Sequence, residues 1–330
     1  MRVFLTGGGG FLGKAILRQL LNKGHEVISF SRGPYPELEA LGVTHYQGNL
    51  TELPKVIAAM KDCDAVIHTA ARADIWGDYA DFYAANVTGT ENILDACAYH
   101  GIDKLVYTSS PSVVHPGHGG LEGADETTPY PEVFSAAYPE TKAIAEQKVL
   151  NANGPHLATV ALRPHLIWGP GDPHFVPRLS ARARAGKLRL VGYKDPLVDT
   201  VYVDNAATAH LQALERLDIG SPIAGRAYFI TQDEPIPLSE FANRILDAAG
   251  IPPISRRVPT GVARLAASAM ESVYRTLSLP GEPPLTRFLV HQMSTPHWFD
   301  ISAAKVDLDY RPEVSLSEGM QRLKSHLSQV

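Results

Sequence analysis

The stretch VFLTGGGGFLG at residues 3–13 joins a short apolar run to a glycine-rich turn and to the start of a helical pattern. Its glycines recur at intervals of three, where backbone N–H groups can approach a pyrophosphate. A helix predicted over 11–21 would aim its partially positive N-terminus at the same place. The GxxGxxG spacing differs from the commoner GxGxxG, but the strand, turn and helix context favours a dinucleotide site. The residues predicted to hold the pyrophosphate are Gly7, Gly10, Phe11, Leu12 and Gly13.

Further short apolar runs, rich in β-branched and aromatic residues, alternate with stretches long enough for crossover helices. This alternation predicts the α/β class, with a Rossmann-type, doubly wound parallel sheet covered on both faces. The predicted strands are 3–5, 26–31, 65–68, 105–108 and 159–162.

The alternation fades at 168–173, where prolines and glycines gather. A strand at 198–203, followed by a helix capped by Asp204-Asn205, then predicts a return to the sheet. We therefore expect two parts. They are a Rossmann domain at 1–165, joined again by 198–230, and a smaller substrate-binding lobe at 166–197 and 231–330.

Composition excludes several classes of function. The 330 residues are 45% hydrophobic, which suits one large core with an appended lobe. A net charge of −5 argues against nucleic acid as a partner. Cys63 and Cys97 lack a disulfide or metal-ligand spacing, and His115 and His118 have no ligand partners nearby, so no metal is expected. A strand at the start leaves no room for a signal peptide, and no transmembrane segment is evident, which predicts a cytoplasmic protein.

The choice of cofactor should be made at the end of the second strand, where NAD sites carry an acid. Ser31 and Arg32 stand there instead. A guanidinium and a hydroxyl suit a 2′-phosphate, so NADP(H) is predicted, although Arg32 could be only a solvated turn residue. The other predicted contacts, at the adenine edge and after the strand at 65–68, are Asn49, Leu50, Ala70 and Ala71.

Tyr138 and Lys142 are separated by four positions, so a helix places them on one face. A ketone that accepts a hydride needs a proton donor at the developing alkoxide. We predict that Tyr138 donates this proton, with its pKa lowered by Lys142 and the oxidised nicotinamide. On many helices the same spacing is only a packed tyrosine and a solvated lysine.

A serine hydroxyl after the strand at 105–108 would lie where ligands bind in open α/β sheets. Ser110 is predicted to position the substrate carbonyl and Ser109 to face the nicotinamide, with Ser112 as a less favoured substitute. The alternative is a loop whose serines satisfy only local backbone groups.

Together these motifs resemble the extended short-chain dehydrogenase/reductases over nearly the whole chain. The resemblance implies a Rossmann domain with a smaller C-terminal lobe and a catalytic centre of Ser110, Tyr138 and Lys142. It also implies that Asn86 helps to hold the proton relay and that Pro164 lies beside the cofactor. The segments that carry it are the glycine loop, 86–90, 109–110, 138–142 and LRP with WGPGD at 162–172.

YTSS at 107–110, PLTRF at 284–288 and TPHWF at 295–299 resemble the 3β-hydroxysteroid dehydrogenase-like branch. Within it, the chain is most similar to the bacterial 2-alkyl-3-oxoalkanoate reductases of long-chain olefin biosynthesis. That similarity implies NADPH-dependent reduction of the 3-keto group of a lipid-like β-keto acid. It also implies a homo-oligomer that associates with other enzymes of the olefin pathway.

Three alternatives remain open at this point. A 3β-hydroxysteroid or sterol-carboxylate dehydrogenase would use the same centre with a flat, rigid pocket. A nucleotide-sugar epimerase or dehydratase would need a diphosphate site, which Arg178 and Arg182 could supply. A cofactor-binding sensor without turnover is disfavoured because the tyrosine and lysine are intact.

The substrate lobe offers weaker signals. Two alkyl tails need an apolar groove and the carboxylate needs a cation or a donor, for which His165, Arg178 and Arg287 are candidates. Arg178 lies in an alanine-rich stretch that also fits a solvated helix face. Apolar residues over 262–277 follow helical spacing and predict core or lid packing, with a surface contact as the alternative.

Overall fold

The structure is a computed structural model and describes residues 1–329. Its strands are β1 (Arg2–Thr6), β2 (Glu26–Ser31), β3 (Thr44–Gln47), β4 (Ala65–His68), β5 (Lys104–Thr108), β6 (Leu121–Ala124), β7 (Ala158–Pro164), β8 (Ile167–Trp168), β9 (Leu190–Val191), β10 (Leu197–Val198), β11 (Val201–Tyr202), β12 (Arg226–Ile230), β13 (Ile236–Pro237), β14 (Arg257–Val258) and β15 (His297–Phe299).

The helices are α1 (Phe11–Asn22), α2 (Pro36–Glu39), α3 (Leu53–Ala59), α4 (Tyr79–Tyr83), α5 (Gly89–His100), α6 (Ala137–Asn151), α7 (Phe175–Arg184), α8 (Val203–Arg216), α9 (Leu238–Ala248), α10 (Thr260–Thr276), α11 (Arg287–Ser294), α12 (Ser302–Asp307) and α13 (Leu316–Leu327). A π-helical turn covers Ala84–Thr88 and a 3₁₀ turn covers Pro111–Val114. Every helix within residues 1–329 is too short or too polar to cross a lipid bilayer.

A seven-stranded parallel sheet in the order β12-β7-β5-β4-β1-β2-β3 forms the centre of the molecule. The chain winds one way from β1 to β3 and the other way from β4 to β12, so the order reverses between β1 and β4. Ligands bind at the carboxyl ends of the strands beside such a reversal. The predicted Rossmann-type α/β class is confirmed.

Alternating side chains bury both faces of this sheet. Phe4 and Ile28 point to the face covered by α3 and α5, while Val3, Leu5 and Val27 point to the face covered by α1 and α8. Because both faces are dry, the strands read as continuous apolar runs, which is why the sequence predicts them closely.

The return segment at 198–230 differs in detail from the prediction. Residues 198–203 are not one strand, since β10 ends at Val198, β11 covers Val201–Tyr202 and α8 begins at Val203. The predicted cap by Asp204-Asn205 is wrong, because Tyr202 occupies the N-cap position. Asn205 instead donates from Nδ2 to the Val314 carbonyl at 2.8 Å. Beyond α8, β12 pairs in parallel with β7.

A second sheet in the order β13-β10-β15-β6 lies outside the central one. β6 follows the loop after β5 in sequence, and β15 pairs with β6 in parallel near the C-terminal end of the chain. This pairing ties the loop after β5 to the C-terminal segment. The division into a domain and a lobe at the predicted boundaries stays a prediction.

The apolar stripe over 262–277 lies on α10 but does not pack into the core. Leu265 is 74% exposed and Leu277 is 64% exposed. The buried residues of α10 are Ala263, Ala267 and Glu271, and α10 packs against α11. The expectation of core packing is therefore wrong, because the small residues of this helix face the protein and the large ones face outward.

Candidate active site

A cleft of about 780 Å³ lies at the carboxyl ends of β1, β2, β4 and β5. Both the predicted cofactor contacts and the predicted catalytic residues Ser110, Tyr138 and Lys142 line this one cleft. The predicted residues that line it are Gly7, Gly10, Phe11, Leu12, Gly13, Ser31, Arg32, Asn49, Leu50, Ala70, Ala71, Ser109, Ser110, Tyr138, Lys142 and Pro164.

The glycine loop is shaped by close backbone contacts. Gly7 has a φ of +72°, and its carbonyl accepts from the Gly10 amide at 2.8 Å. A Cβ at Gly13 would lie 2.0 Å from the Gly7 carbonyl oxygen, so only glycine fits there. Gly10 is the N-cap of α1 and supplies no side-chain hydrogen bond, which leaves backbone donors for a ligand.

The far end of the cleft carries groups that suit a phosphate. Ser31 is buried and its Oγ has no hydrogen-bond partner. Arg32 is exposed and forms no ion pair within residues 1–329, while Gln47 fixes the turn by donating to its carbonyl at 2.9 Å. A hydroxyl and a guanidinium without partners, side by side, fit a phosphate ester of the ribose.

Tyr35 also lines this end, and sequence reasoning missed it. A Cβ at Gly9 would lie 2.3 Å from its ring, so the ring rests directly on the glycine loop. A single aromatic residue in a turn has no periodic partner, and its placement depends on how β2 and the glycine loop meet in space.

Lys142 projects from α6 into the inner end of the cleft and is 2% exposed. Its Nζ donates to the Tyr107 hydroxyl and to the Thr108 carbonyl, both at 2.6 Å. Burial lowers the pKa of Lys142 to about 7, against an opposing effect of the Glu146 carboxylate. The lysine is thus held on the sheet, and both of its recorded hydrogen bonds go to β5.

Tyr138 lies one turn before Lys142, in the first turn of α6. Burial raises its pKa, and a hydrogen bond with the Ser110 hydroxyl opposes that rise. The expected lowering by Lys142 does not hold in the protein alone, because Nζ is directed to Tyr107 and Thr108.

The loop that follows β5 carries Ser109 and Ser110, which line the cleft. Ser110 Oγ accepts from the Ser112 amide at 3.2 Å and from the Ser112 hydroxyl at 2.9 Å. Ser109 is buried and its hydroxyl has no partner, which leaves it available to a bound ligand. Ser110 and Tyr138 both line the cleft, and the Ser110 hydroxyl is close enough to affect the pKa of Tyr138.

Asn86 lies in the π-helical turn, behind the cleft and 2% exposed. Its Oδ1 accepts from the Arg72 amide at 2.7 Å, and its Nδ2 donates to the Thr141 hydroxyl at 3.0 Å. Asn86 thus fixes the loop after β4 against α6. It acts on the site through neighbouring residues, since it does not line the cleft itself.

The residues predicted to contact the substrate carboxylate do not line this cleft. Arg178 pairs with Glu282 at 3.1 Å and Arg287 pairs with Glu271 at 2.7 Å, and neither lines the cleft, nor does His165. The charges of Arg178 and Arg287 are balanced by these two acids. The residues that line the outer cleft instead are Arg72, Asp81, Leu166, Ile167, His174 and Phe175.

Asp172 explains how α7 reaches the cleft. Its carboxylate accepts from the backbone amides of His174, Phe175 and Val176 at 2.8, 3.2 and 2.9 Å, and so caps α7. This acid ends the WGPGD motif, which gave a usable signal for the position of the helix.

A sequence model of the 3-beta hydroxysteroid dehydrogenase/isomerase family matches residues 4–259, more than half of the chain. The chain belongs to this family. Membership in the 3-beta hydroxysteroid dehydrogenase/isomerase family confirms the predicted resemblance. The protein is therefore an oxidoreductase that acts on a CH–OH or C=O group, and its family uses nicotinamide cofactors.

Two relatives match nearly the whole chain. The 2-alkyl-3-oxoalkanoate reductase of Stenotrophomonas maltophilia is 50% identical over 98% of this chain and 99% of its own. The enzyme of the same name from Shewanella oneidensis is 50% identical over 98% of this chain and 86% of its own.

A solved structure shows the same fold. The UDP-glucuronic acid 4-epimerase of Bacillus cereus, in complex with NAD, has a TM-score of 0.76 and 21% identity, over 100% of this chain and 99% of its own. At this identity the likeness supports the extended Rossmann architecture alone.

Proposed function

We propose that this protein reduces the 3-keto group of a 2-alkyl-3-oxoalkanoic acid with NADPH, giving the 2-alkyl-3-hydroxyalkanoic acid, in long-chain olefin biosynthesis. The supporting observation is the 50% identity to a 2-alkyl-3-oxoalkanoate reductase over 98% of this chain and 99% of that one. A match of that extent includes the substrate lobe as well as the cofactor site. The steroid alternative is not favoured.

When NADPH is bound in the cleft, it would supply the hydride for the C3 carbonyl carbon. Tyr138 donates its hydroxyl proton to the carbonyl oxygen as negative charge develops there. Ser110 hydrogen-bonds the same oxygen and fixes its distance from Tyr138. Lys142 holds the ribose and places positive charge behind Tyr138, so the phenolate left after proton transfer is stabilised.

The proposal includes NADP(H) as the preferred cofactor. The Arg32 guanidinium would pair with the 2′-phosphate, and the unpartnered Ser31 hydroxyl would donate to it. No acid occupies either position, so nothing there repels the phosphate. Asn49 and Leu50 would contact the adenine, and Ala70, Ala71 and Pro164 would lie along the nicotinamide half.

Three properties of the protein in the cell belong to the same proposal. They are a homo-oligomeric state, association with other enzymes of the olefin pathway, and a cytoplasmic location. Light scattering of the purified chain, alone and with those enzymes, measures the first two.

The test is identification of the product. Purified protein is incubated with a synthetic 2-alkyl-3-oxoalkanoic acid and NADPH that carries deuterium at C4 of the nicotinamide. The proposal predicts a 2-alkyl-3-hydroxyalkanoic acid with deuterium at C3, detected by mass spectrometry. A tube without enzyme controls for spontaneous decarboxylation of the β-keto acid. Recovery of only keto acid and its decarboxylated ketone would refute the proposal.

The reverse reaction gives an independent check, because the hydroxy acid is stable. NADP+ and 2-alkyl-3-hydroxyalkanoic acid should yield NADPH, and the Tyr138→Phe protein should yield none.

A further inference from the structure

Lys142 is held from the side of the sheet by a second tyrosine. Tyr107 is 1% exposed, its hydroxyl accepts from Lys142 Nζ at 2.6 Å, and its ring centroid lies 4.1 Å from the same nitrogen. The hydroxyl oxygen and the ring face both favour the charged ammonium. Tyr107 does not line the cleft, so any effect on the reaction passes through Lys142.

Behind Tyr107 a buried chain of hydrogen bonds runs back to β1. The Thr90 hydroxyl donates to the Asn86 carbonyl at 2.6 Å, so it accepts from His68 Nε2 at 3.0 Å. Neutral His68 then accepts at Nδ1 from the Thr6 hydroxyl at 2.7 Å. Burial lowers the pKa of His68 to about 3, with the Lys142 charge adding to the effect, which keeps the imidazole neutral.

The two ends of this chain join the halves of the site. Thr6 Oγ1 accepts from the Thr69 and Ala70 amides at 3.1 and 3.0 Å. Thr6 immediately precedes the glycine loop, and Thr69 and Ala70 line the cleft. At the other end, the His68 ring packs against the Tyr107 ring, with the two ring centroids 5.5 Å apart. A single connected set of side chains thus links the β1 and β4 ends to Lys142.

We propose that Tyr107 and His68 are positioning residues of the reductase site, which hold the Lys142 ammonium in place through this buried chain. Lys142 donates to two oxygens on β5, and one of them is supplied by a side chain that a single substitution removes. Loss of that acceptor leaves the buried ammonium with one fewer partner. The inference rests on the proposed function for its effect on turnover, but its effect on Lys142 itself does not.

The direction of the expected change in the pKa of Lys142 follows from the groups around it. Those that face it are Tyr107 on β5, His68 on β4, and Tyr138 and Glu146 on α6, with Glu146 paired to Arg163 of β7. None of the others replaces the lost acceptor, because Glu146 is committed to Arg163 and His68 to Thr6 and Thr90. Tyr107→Phe therefore makes the ammonium less stable and lowers the pKa of Lys142 further.

The test compares Tyr107→Phe with Tyr310→Phe. Tyr310 is equally buried and donates to the Thr231 carbonyl at 2.9 Å, away from Lys142. In cofactor-free protein labelled with ¹³C at lysine Cε, the Lys142 resonance is assigned by its loss in Lys142→Met and titrated by NMR. Its midpoint should fall by about one pH unit in Tyr107→Phe and stay unchanged in Tyr310→Phe.

The turnover readout is the pH profile of kcat for reduction. Its alkaline limb should move to lower pH in Tyr107→Phe by a similar amount, while the NADPH dissociation constant stays within about threefold. Thr90→Val removes the acceptor of His68 Nε2 and so loosens the ring that packs on Tyr107. It should move the Lys142 midpoint in the same direction, and Thr90→Ser should restore it.

Two failures are distinguishable. An unchanged Lys142 midpoint in folded Tyr107→Phe or Thr90→Val protein would overturn the inference, whatever the substrate. A wild-type protein that does not reduce the keto acid, but whose Lys142 midpoint responds to Tyr107→Phe as expected, would overturn the proposed function and leave the inference standing.

Discussion

Tyr138 and Ser110 both line the cleft, and Tyr138 is the proton donor that we propose. Tyr138→Phe removes the proton and keeps the ring. We expect kcat to fall by about a thousandfold, since general acid catalysis contributes on that order. NADPH binding, measured by fluorescence titration, should change less than about twofold.

Tyr228→Phe is the matched control, because Tyr228 is buried and its hydroxyl bonds Asp307 at 2.8 Å outside the site. Turnover by Tyr138→Phe at the rate of this control would eliminate Tyr138 as the acid.

Arg32 belongs to the cofactor end of the cleft. Arg32→Glu replaces a cation by an acid next to Ser31, so a 2′-phosphate would be repelled. The KM for NADPH should rise by at least about tenfold while the KM for NADH changes little. Arg311→Glu carries the same charge change on a side chain that is 77% exposed, and it should alter neither value. Equal responses of both cofactors to Arg32→Glu would show that Arg32 does not contact the 2′-phosphate.

Sequence patterns predicted the residues that act through the backbone or through fixed spacing. The glycine loop and the YxxxK pair carry their geometry in their spacing, and Ser110 follows a strand whose end is easily recognised. Tyr35 and the hydroxyl of Tyr107 carried no such signal. Each is a single aromatic residue whose role depends on a neighbour from another element.

At the level of elements, α6 is fastened to β7 by a buried ion pair. Arg163 donates to Glu146 at 2.6 Å from Nη2 and at 3.0 Å from Nε, and both side chains are almost fully buried. Arg163→Met leaves the Glu146 carboxylate buried without its cation, with the Tyr130 hydroxyl still donating to it at 2.6 Å. The free energy of unfolding should fall by about 3–5 kcal/mol, measured by urea denaturation.

Lys148→Met, also on α6, is the comparison, because it removes an exposed ion pair with Glu91 of α5. That loss should cost less than about 1 kcal/mol. The double variant Arg163→Met with Glu146→Leu should recover most of the stability. Equal costs for the buried and the exposed pair would contradict this account.

Element boundaries show where sequence patterns stop. The strands of the central sheet were predictable because both of their faces are buried. The start of α8 was not, because Val201, Tyr202 and Val203 continue an apolar run across the boundary. Asp204-Asn205 is typical of a helix cap, yet the Asn205 side chain forms hydrogen bonds with the Val314 backbone. No local sequence pattern predicts that contact.

Over the whole molecule, a row of four histidines, three of them buried and His165 partly exposed, joins the loop after β5 to the C-terminal segment. His115 packs edge-to-face on His291 with ring centroids 4.9 Å apart, and His165 packs on His297 in the same way at 4.9 Å. His115 and His297 lie 6.3 Å apart and close the row. Burial lowers the pKa of all four side chains.

A pH dependence follows with a defined sign. A histidine whose folded pKa lies below the unfolded value of about 6.5 is protonated first in the unfolded chain. The stability it contributes is present above that pH and is lost as the pH falls towards its folded pKa. Urea midpoints should therefore drop between about pH 7 and pH 5. His297→Gln should flatten the dependence, and an equally steep curve in that variant would contradict the assignment.

This row could not be predicted from the sequence. His115 and His291 are far apart in the chain, and each lies in a segment without a repeating pattern. Only the pairing of β6 with β15 brings the two segments together. The same reason explains why the ion pairs of Arg178 with Glu282 and of Arg287 with Glu271 were not predicted, since each joins two segments that no local pattern links.

The proposed substrate and cofactor are tested most directly by kcat/KM for four combinations, NADPH or NADH with a 2-alkyl-3-oxoalkanoic acid or a 3-ketosteroid, followed by loss of reduced-nicotinamide absorbance. We expect rapid loss only with NADPH and the keto acid, and much slower loss in the other three. Activity confined to the steroid would contradict the proposed substrate. Activity confined to NADH would contradict the role given to Ser31 and Arg32.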